Sequence, residues 1–143
     1  MRVLIWHVEQ FVCTITERGR SPIVEEFEDP VTAVEDALLL LVSVEKADEA
    51  DPAGVARKAA DEIAAHAAQL KVRTVVVHPF AHLFGELSRP RTAVKVLDAT
   101  AEGLRAHGLI AIRTPFGWFN ELEIRAKGHP LSRLARVITA GQE

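Results

Sequence analysis

Apolar residues dominate two runs at the start of the chain, Arg2 to Val8 and Phe11 to Thr16, and the polar pair Glu9-Gln10 separates them. That pattern predicts a β-hairpin. Arg18 to Pro30 reads as a connection, broken by Gly19 and Pro22. Asp29-Pro30 is expected to open a short helix, because Asp caps and Pro suits the first helical position. Leu38 to Val44 is either the end of that helix or a buried strand, and periodicity alone does not decide between them; taken as a strand, it enters the sheet. After Asp51-Pro52, the residues Val55, Ala59, Ile63, Ala67 and Leu70 recur at helical spacing and predict an amphipathic helix to about Leu70. Arg73 to Val77 is a short buried strand. A second helix follows Pro90, with Val94, Leu97, Ala101 and Leu104 on one face and Gly108 at its expected left-handed stop. Leu109 to Arg113 is a further strand. Past Thr114-Pro115-Phe116-Gly117, the segment Phe119 to Ala126 alternates, with Leu122 and Ile124 on one face and Glu121, Glu123 and Arg125 on the other. The order of elements predicts one α/β domain with a mixed sheet over residues 1–143.

Composition narrows the class. A chain of 143 residues suits one domain and buries roughly two thirds of the surface its unfolded form exposes. Hydrophobic residues make up 48% and charged residues 26%, which excludes a disordered chain. The longest apolar run, Ala37 to Val42, is too short to span a bilayer, and MRVLIWHVEQ does not read as a secretory signal. A single cysteine, Cys13, excludes an internal disulfide framework. The expectation is a cytoplasmic protein without a membrane partner. The formal charge of −3 argues against gripping a long nucleic-acid backbone, but it leaves contact with a nucleic-acid end open. Arg125, Lys127, His129, Arg133 and Arg136 gather positive charge late in the chain, and charge alone favours a solvated surface over a binding face there.

Few residues carry a recognisable chemistry. His78 and His82 stand four apart, the spacing of zinc ligands in HExxH helices, yet Pro-Phe-Ala lies between them and the glutamate is missing. No metal site is expected. His7, His66, His107 and His129 are scattered and read as surface or satisfied core residues, and Cys13 reads as a packed, inert thiol. GxSxG, P-loop and GxGxxG sequences are absent. Two turns follow predicted strands, Val77-His78-Pro79 and Arg113-Thr114-Pro115. Open α/β sheets bind ligands beyond the carboxyl ends of their strands, so these Pro-Phe turns are the pocket candidates. The alternative is that Phe80 and Phe116 only plug the core.

Four separated motifs, "SVEKAD" (43–48), "HPFAHL" with "ELSRP" (78–90), "TPFGWF" (114–119) and "KGHPLS" (127–132), occur in an order and spacing that covers nearly the whole chain. In these motifs the chain strongly resembles the editing domain at the N-terminus of archaeal threonyl-tRNA synthetases, which is similar in fold to the D-aminoacyl-tRNA deacylases. The resemblance implies hydrolysis of the ester between serine and the terminal adenosine of threonine tRNA, with no cofactor. It implies as partners the aminoacylated 3′ end of that tRNA and a synthetase catalytic region in cis or in trans, and, with the exposed-edge argument for short sheets, a homodimer. It also implies that the aminoacyl group is held largely by main-chain atoms of Val44, Pro79, Phe80, Ala81 and His82. Pro115, Phe116, Gly117 and Phe119 match the second wall, nearest the adenosine. His82 and Asn120 are the candidates for positioning water or substrate. Two positions depart from the family pattern: Asn120 stands where relatives have a lysine considered for water activation, and Arg133 where many carry an acidic residue. Asparagine is no general base, so the 2′-hydroxyl of the substrate becomes the expected activator of water. The alternative function is a non-catalytic module that binds a free amino acid or an RNA end.

Overall fold

Hydrogen-bond register rather than local pattern decides how the first forty residues fold. A computed structural model describes residues 1–141. The predicted hairpin is instead one long strand, β1 (Arg2–Arg18), paired antiparallel along its length with β2 (Val31–Ser43). Glu9-Gln10 does not turn the chain; it marks a bulge in the pairing of β1 with a later strand, where register shifts between Val8 and Gln10. The expected helix at Asp29-Pro30 does not form either. Asp29 Oδ1 accepts from Val31 N at 2.9 Å, and the Pro30 carbonyl accepts from Ile15 N at 2.8 Å, so the Asp-Pro pair feeds a strand. Val31, Thr32 and Val34 are β-branched residues suited to it.

The remaining elements follow the sequence pattern closely. Helix α1 (Pro52–Leu70) begins where Asp51 Oδ1 accepts from Gly54 N at 3.0 Å and ends at Lys71 in the left-handed region, φ 59°. Then come β3 (Thr74–Pro79), α2 (Pro90–Ala106), β4 (Ile110–Arg113) and β5 (Trp118–Ala126). Two elements escaped the sequence reading, a single 3-10 turn at Lys46–Ala50 and β6 (Arg133–Val137). The strand order is β4-β3-β2-β1-β5, with β6 also on β1. Strands β2, β3 and β4 run parallel to one another, while β1 runs antiparallel to β2, β5 and β6. This is the predicted α/β architecture, a mixed sheet with two helices packed on it.

One face of the sheet, carrying Val3, Ile5, Leu38, Leu40, Val42, Val75 and Val77, buries against α1 and α2. The helices approach closely at Gly103, where an added Cβ would lie 2.7 Å from Cβ of Ala60. A second cluster, Val8, Phe11 and Cys13 with Ala37, Leu39, Leu41 and Val76, fills the opposite face. In both β1 and β2 the parity of the residues facing this second cluster switches, between Val8 and Phe11 and between Val34 and Ala37, and Asp36 there has φ 45°. Asp36 Oδ1 accepts from His7 Nε2 and from Lys127 Nζ, each at 3.0 Å. His7 Nδ1 lies 2.9 Å from His129 Nε2, and Leu131 N donates to His129 Nδ1 at 3.3 Å. That last bond makes Nδ1 an acceptor, so neutral His129 carries its proton on Nε2 and donates to His7. The two histidines expected to stand alone therefore form one hydrogen-bonded chain ending on Asp36. Among the described residues no helix is long and apolar enough to cross a membrane.

Candidate functional site

The parallel strands β2, β3 and β4 end at Ser43, Pro79 and Arg113, and a cavity of about 570 Å³ opens just beyond them. Its place is the one open α/β sheets favour for ligands, and its volume is that of a small-molecule site. Every residue singled out from the motifs borders it: Val44, Pro79, Phe80, Ala81, His82, Pro115, Phe116, Gly117, Phe119 and Asn120. Arg133 does not; its exposed guanidinium lies on β6, 3.5 Å from the Lys127 carbonyl. Asn120 shares strand parity with Leu122, which also lines the cavity, and with Ile124, which packs under the second core cluster.

The first wall is a strand end whose main chain is mostly occupied. Phe80 N donates to the Val42 carbonyl at 2.8 Å, Ser43 Oγ donates to the Phe80 carbonyl, and Ser88 N donates to the Val44 carbonyl at 3.0 Å. The next two residues differ. Among the described residues, the main-chain N–H groups of Ala81 and His82 have no hydrogen-bond partner. Both residues line the cavity, and a carbonyl or developing oxyanion bound within reach of such donors would satisfy them. The His82 side chain is exposed, its ring set edge-on to Phe80 at 5.3 Å.

The second wall is held from two sides. Thr114 and His78, each the residue before its Pro-Phe turn, meet through His78 Nδ1 and Thr114 Oγ1 at 2.7 Å, so one bond ties the two walls together. His78 is 2% exposed, and burial pushes its imidazole down to about 4, leaving it neutral at ordinary pH. From outside, Glu25 in the connection after β1 clamps the turn. Its Oε1 accepts from Phe116 N at 2.7 Å and from Arg113 Nη2 at 2.8 Å, and its Oε2 accepts from the same Nη2 at 2.9 Å. Glu25 N donates to the Phe116 carbonyl at 3.0 Å, and Trp118 Nε1 donates to the Glu25 carbonyl at 2.7 Å. Gly117 has φ 95°, and a Cβ there would lie 2.6 Å from the Ile23 carbonyl oxygen, so only glycine fits.

What the site can do follows from its polar inventory. Cys13 is buried within the second core cluster, and desolvation pushes its thiol up to about 11, the opposite of an activated nucleophile. Among the described residues no group of three or more His, Cys, Asp or Glu side chains is arranged to hold a metal ion. The cavity offers shape, apolar surface and main-chain donors, with His82 and Asn120 as exposed or half-buried polar side chains at its border. Phe80 and Phe116 are half-buried: both line the cavity, and they also pack against the second and the first core cluster respectively. Sequence reasoning found the two turns but missed the bond between His78 and Thr114 and the whole role of Glu25. The parallel placement of His and Thr before Pro-Phe was the visible signal for the first; nothing local marked the second.

Comparison with known proteins agrees with the motif resemblance. Residues 1–138 match the family described as the archaea-specific editing domain of threonyl-tRNA synthetase. The chain is 41% identical over 143 residues to a threonine–tRNA ligase of Methanocaldococcus jannaschii, covering 100% of this chain and 23% of that protein. It is 39% identical over 142 residues to the ligase of Methanobrevibacter smithii, covering 98% of this chain and 23% of the relative. Against the ligase of Methanoregula boonei the identity is 43% over 109 residues, 76% of this chain and 18% of the relative. The chain thus spans about a quarter of the length of these relatives, and the mixed sheet with two helices is consistent with a fold like that of the D-aminoacyl-tRNA deacylases. On this match the chain belongs to the archaea-specific editing-domain family of threonyl-tRNA synthetase.

Proposed function

We propose that the chain is a proofreading deacylase that hydrolyses seryl esters of threonine tRNA. The observation that carries this reading is the convergence of all ten motif residues on one cavity, with the unpartnered main-chain N–H groups of Ala81 and His82 among the polar groups of its lining residues. Serine differs from threonine by one methyl, and a synthetic pocket separates such a pair by only about 1–3 kcal/mol. A second site that admits the smaller residue and excludes the larger multiplies the discrimination. Water attacks the ester carbonyl carbon, the bond to the ribose 3′-oxygen breaks, and that oxygen takes up a proton, leaving serine and an uncharged tRNA end. The Ala81 and His82 amides stabilise the charge that develops on the carbonyl oxygen. The neighbouring 2′-hydroxyl orients the water, because the Asn120 amide is not basic and His78, buried and with its imidazole pushed down to about 4, is a poor proton acceptor.

The partners in this reading are the aminoacylated 3′ end of threonine tRNA and the catalytic region of a threonyl-tRNA synthetase, in cis or in trans, in the cytoplasm. Strand β4 has a free edge beyond its pairing with β3, and a twofold dimer covers such an edge. Sedimentation at micromolar concentration should give twice the 15.7 kDa chain mass; a monomer alone rejects the dimer. Incubation with serine-charged and threonine-charged threonine tRNA tests the activity. Hydrolysis of the seryl ester well above the uncatalysed background is expected. Binding of the charged end without any acceleration would leave a non-catalytic module in its place.

A further inference from the structure

We propose that Glu25, which does not itself line the cavity, is a positioning residue that sets how sharply the site distinguishes seryl from threonyl esters. The inference rests on reading the cavity as the seryl-ester site. Glu25 connects to the Pro-Phe wall four ways: through its carboxylate to Phe116 N and Arg113, through its amide to the Phe116 carbonyl, and through its carbonyl to Trp118 Nε1. Arg113 extends the clamp inward, donating from Nη1 to the Thr114 carbonyl at 2.7 Å and from Nε to Asp98 on α2 at 3.0 Å. Both side chains are largely shielded, Arg113 at 11% and Glu25 at 27% exposure, so this pair, with both carboxylate oxygens on the one nitrogen Nη2, is a geometric constraint more than a loose surface contact.

The wall that this clamp holds carries Phe116 and Gly117, and it faces the wall of Phe80 and Ala81 across the cavity. The two are otherwise linked by the His78–Thr114 bond. Removing the carboxylate leaves Phe116 N without its acceptor and Arg113 Nη2 without the two oxygens it donates to. The wall then gains freedom of a fraction of an ångström, the scale on which a threonine methyl is admitted or refused. Serine already fits, so its hydrolysis is affected less.

Two variants separate this role from plain stabilisation. Glu25→Ala removes both interactions, whereas Glu25→Gln keeps one oxygen that accepts from Phe116 N and loses the charge and the second acceptor oxygen facing Arg113. Steady-state kcat and KM are measured for both esters at a temperature where circular dichroism shows each variant folded. Asp51→Ala, which removes the α1 cap at a residue that does not line the cavity, serves as a destabilised control. Glu25→Ala is expected to lower the seryl-to-threonyl ratio of kcat/KM about tenfold, Glu25→Gln to restore most of it, and the control to leave it unchanged. Equal losses on both esters in Glu25→Ala overturn the proposal. If the native chain hydrolyses neither ester, the deacylase reading fails by itself. Amide-linked seryl and threonyl adenosine analogues then give the same ratio as Kd values by calorimetry, where an unshifted or absent preference also overturns the role of Glu25.

Discussion

At the scale of single residues, the site divides into side chains that shape and groups that bond. Ala81 is exposed at the cavity rather than packed in the core, so shortening it changes the pocket more than the fold. Ala81→Gly should raise threonyl hydrolysis relative to seryl hydrolysis, by up to about the 10–200-fold that one methylene is worth. Its stability cost should be only about 0.4–1 kcal/mol from backbone entropy. Kinetics on both esters beside a thermal melt checks this, and an unchanged ratio means that the wall lies elsewhere. His78 gives a second residue-scale expectation. Its folded pKa, about 4, lies below the 6.5 of an unperturbed histidine, so the unfolded chain takes up the proton first. The contribution is therefore complete above pH 6.5 and is lost as pH falls toward 4, on the order of 3 kcal/mol in all. Burial lowers His66 as well, and the hydrogen bonds from Lys127 and then His7 lower Asp36, so both add to acid destabilisation. Urea midpoints at pH 7 and pH 5 should converge more in His78→Gln than in the native chain; an equal pH loss in both contradicts the assignment.

At the scale of elements, two glycines with positive φ make a matched comparison. Gly108 ends α2 at φ 85° with nothing within 4 Å of an added Cβ, whereas Gly117 meets the Ile23 carbonyl and Val24. Gly108→Ala should cost about 1 kcal/mol of strain and leave hydrolysis unchanged. Gly117→Ala should cost more and impair hydrolysis, because it drives the connection after β1 off the Pro-Phe turn. Equal effects of the two changes on activity would place that turn outside the site. The same elements show what was legible beforehand. Both helices, β3, β4 and β5 were readable because their caps, breakers and periodicity are local. Of the β1–β2 ribbon only the buried end from Leu38 was read as strand: Glu9-Gln10 resembles a turn, and only pairing with Glu35 and its neighbours keeps β1 running. Strand β6, with Arg133, Ala135 and Arg136 exposed, has no apolar alternation to announce it and exists through its register with Arg2 to Trp6. The cavity residues were legible through motifs and the strand-end rule. Glu25 was not, since its partners lie 88 and 91 positions away.

For the whole molecule, the division of labour is between a helix-covered sheet that fixes three strand ends and two turns that those ends carry. Five bonds from Glu25 and one from His78 hold the turns, and in the proposed mechanism the chemistry is left to main-chain donors and the substrate's own ribose. That claim separates this site from one run by a general base. The measurement that tests it most directly is the single-turnover rate on seryl-charged threonine tRNA ending in adenosine or in 2′-deoxyadenosine, for the native chain, His82→Ala and Asn120→Ala. The account predicts substantial hydrolysis of the ribose substrate by all three proteins and hydrolysis of the deoxy substrate barely above background. A normal rate on the deoxy substrate, or a loss on the order of 10²-fold or more in either variant as expected for an essential base, would contradict it.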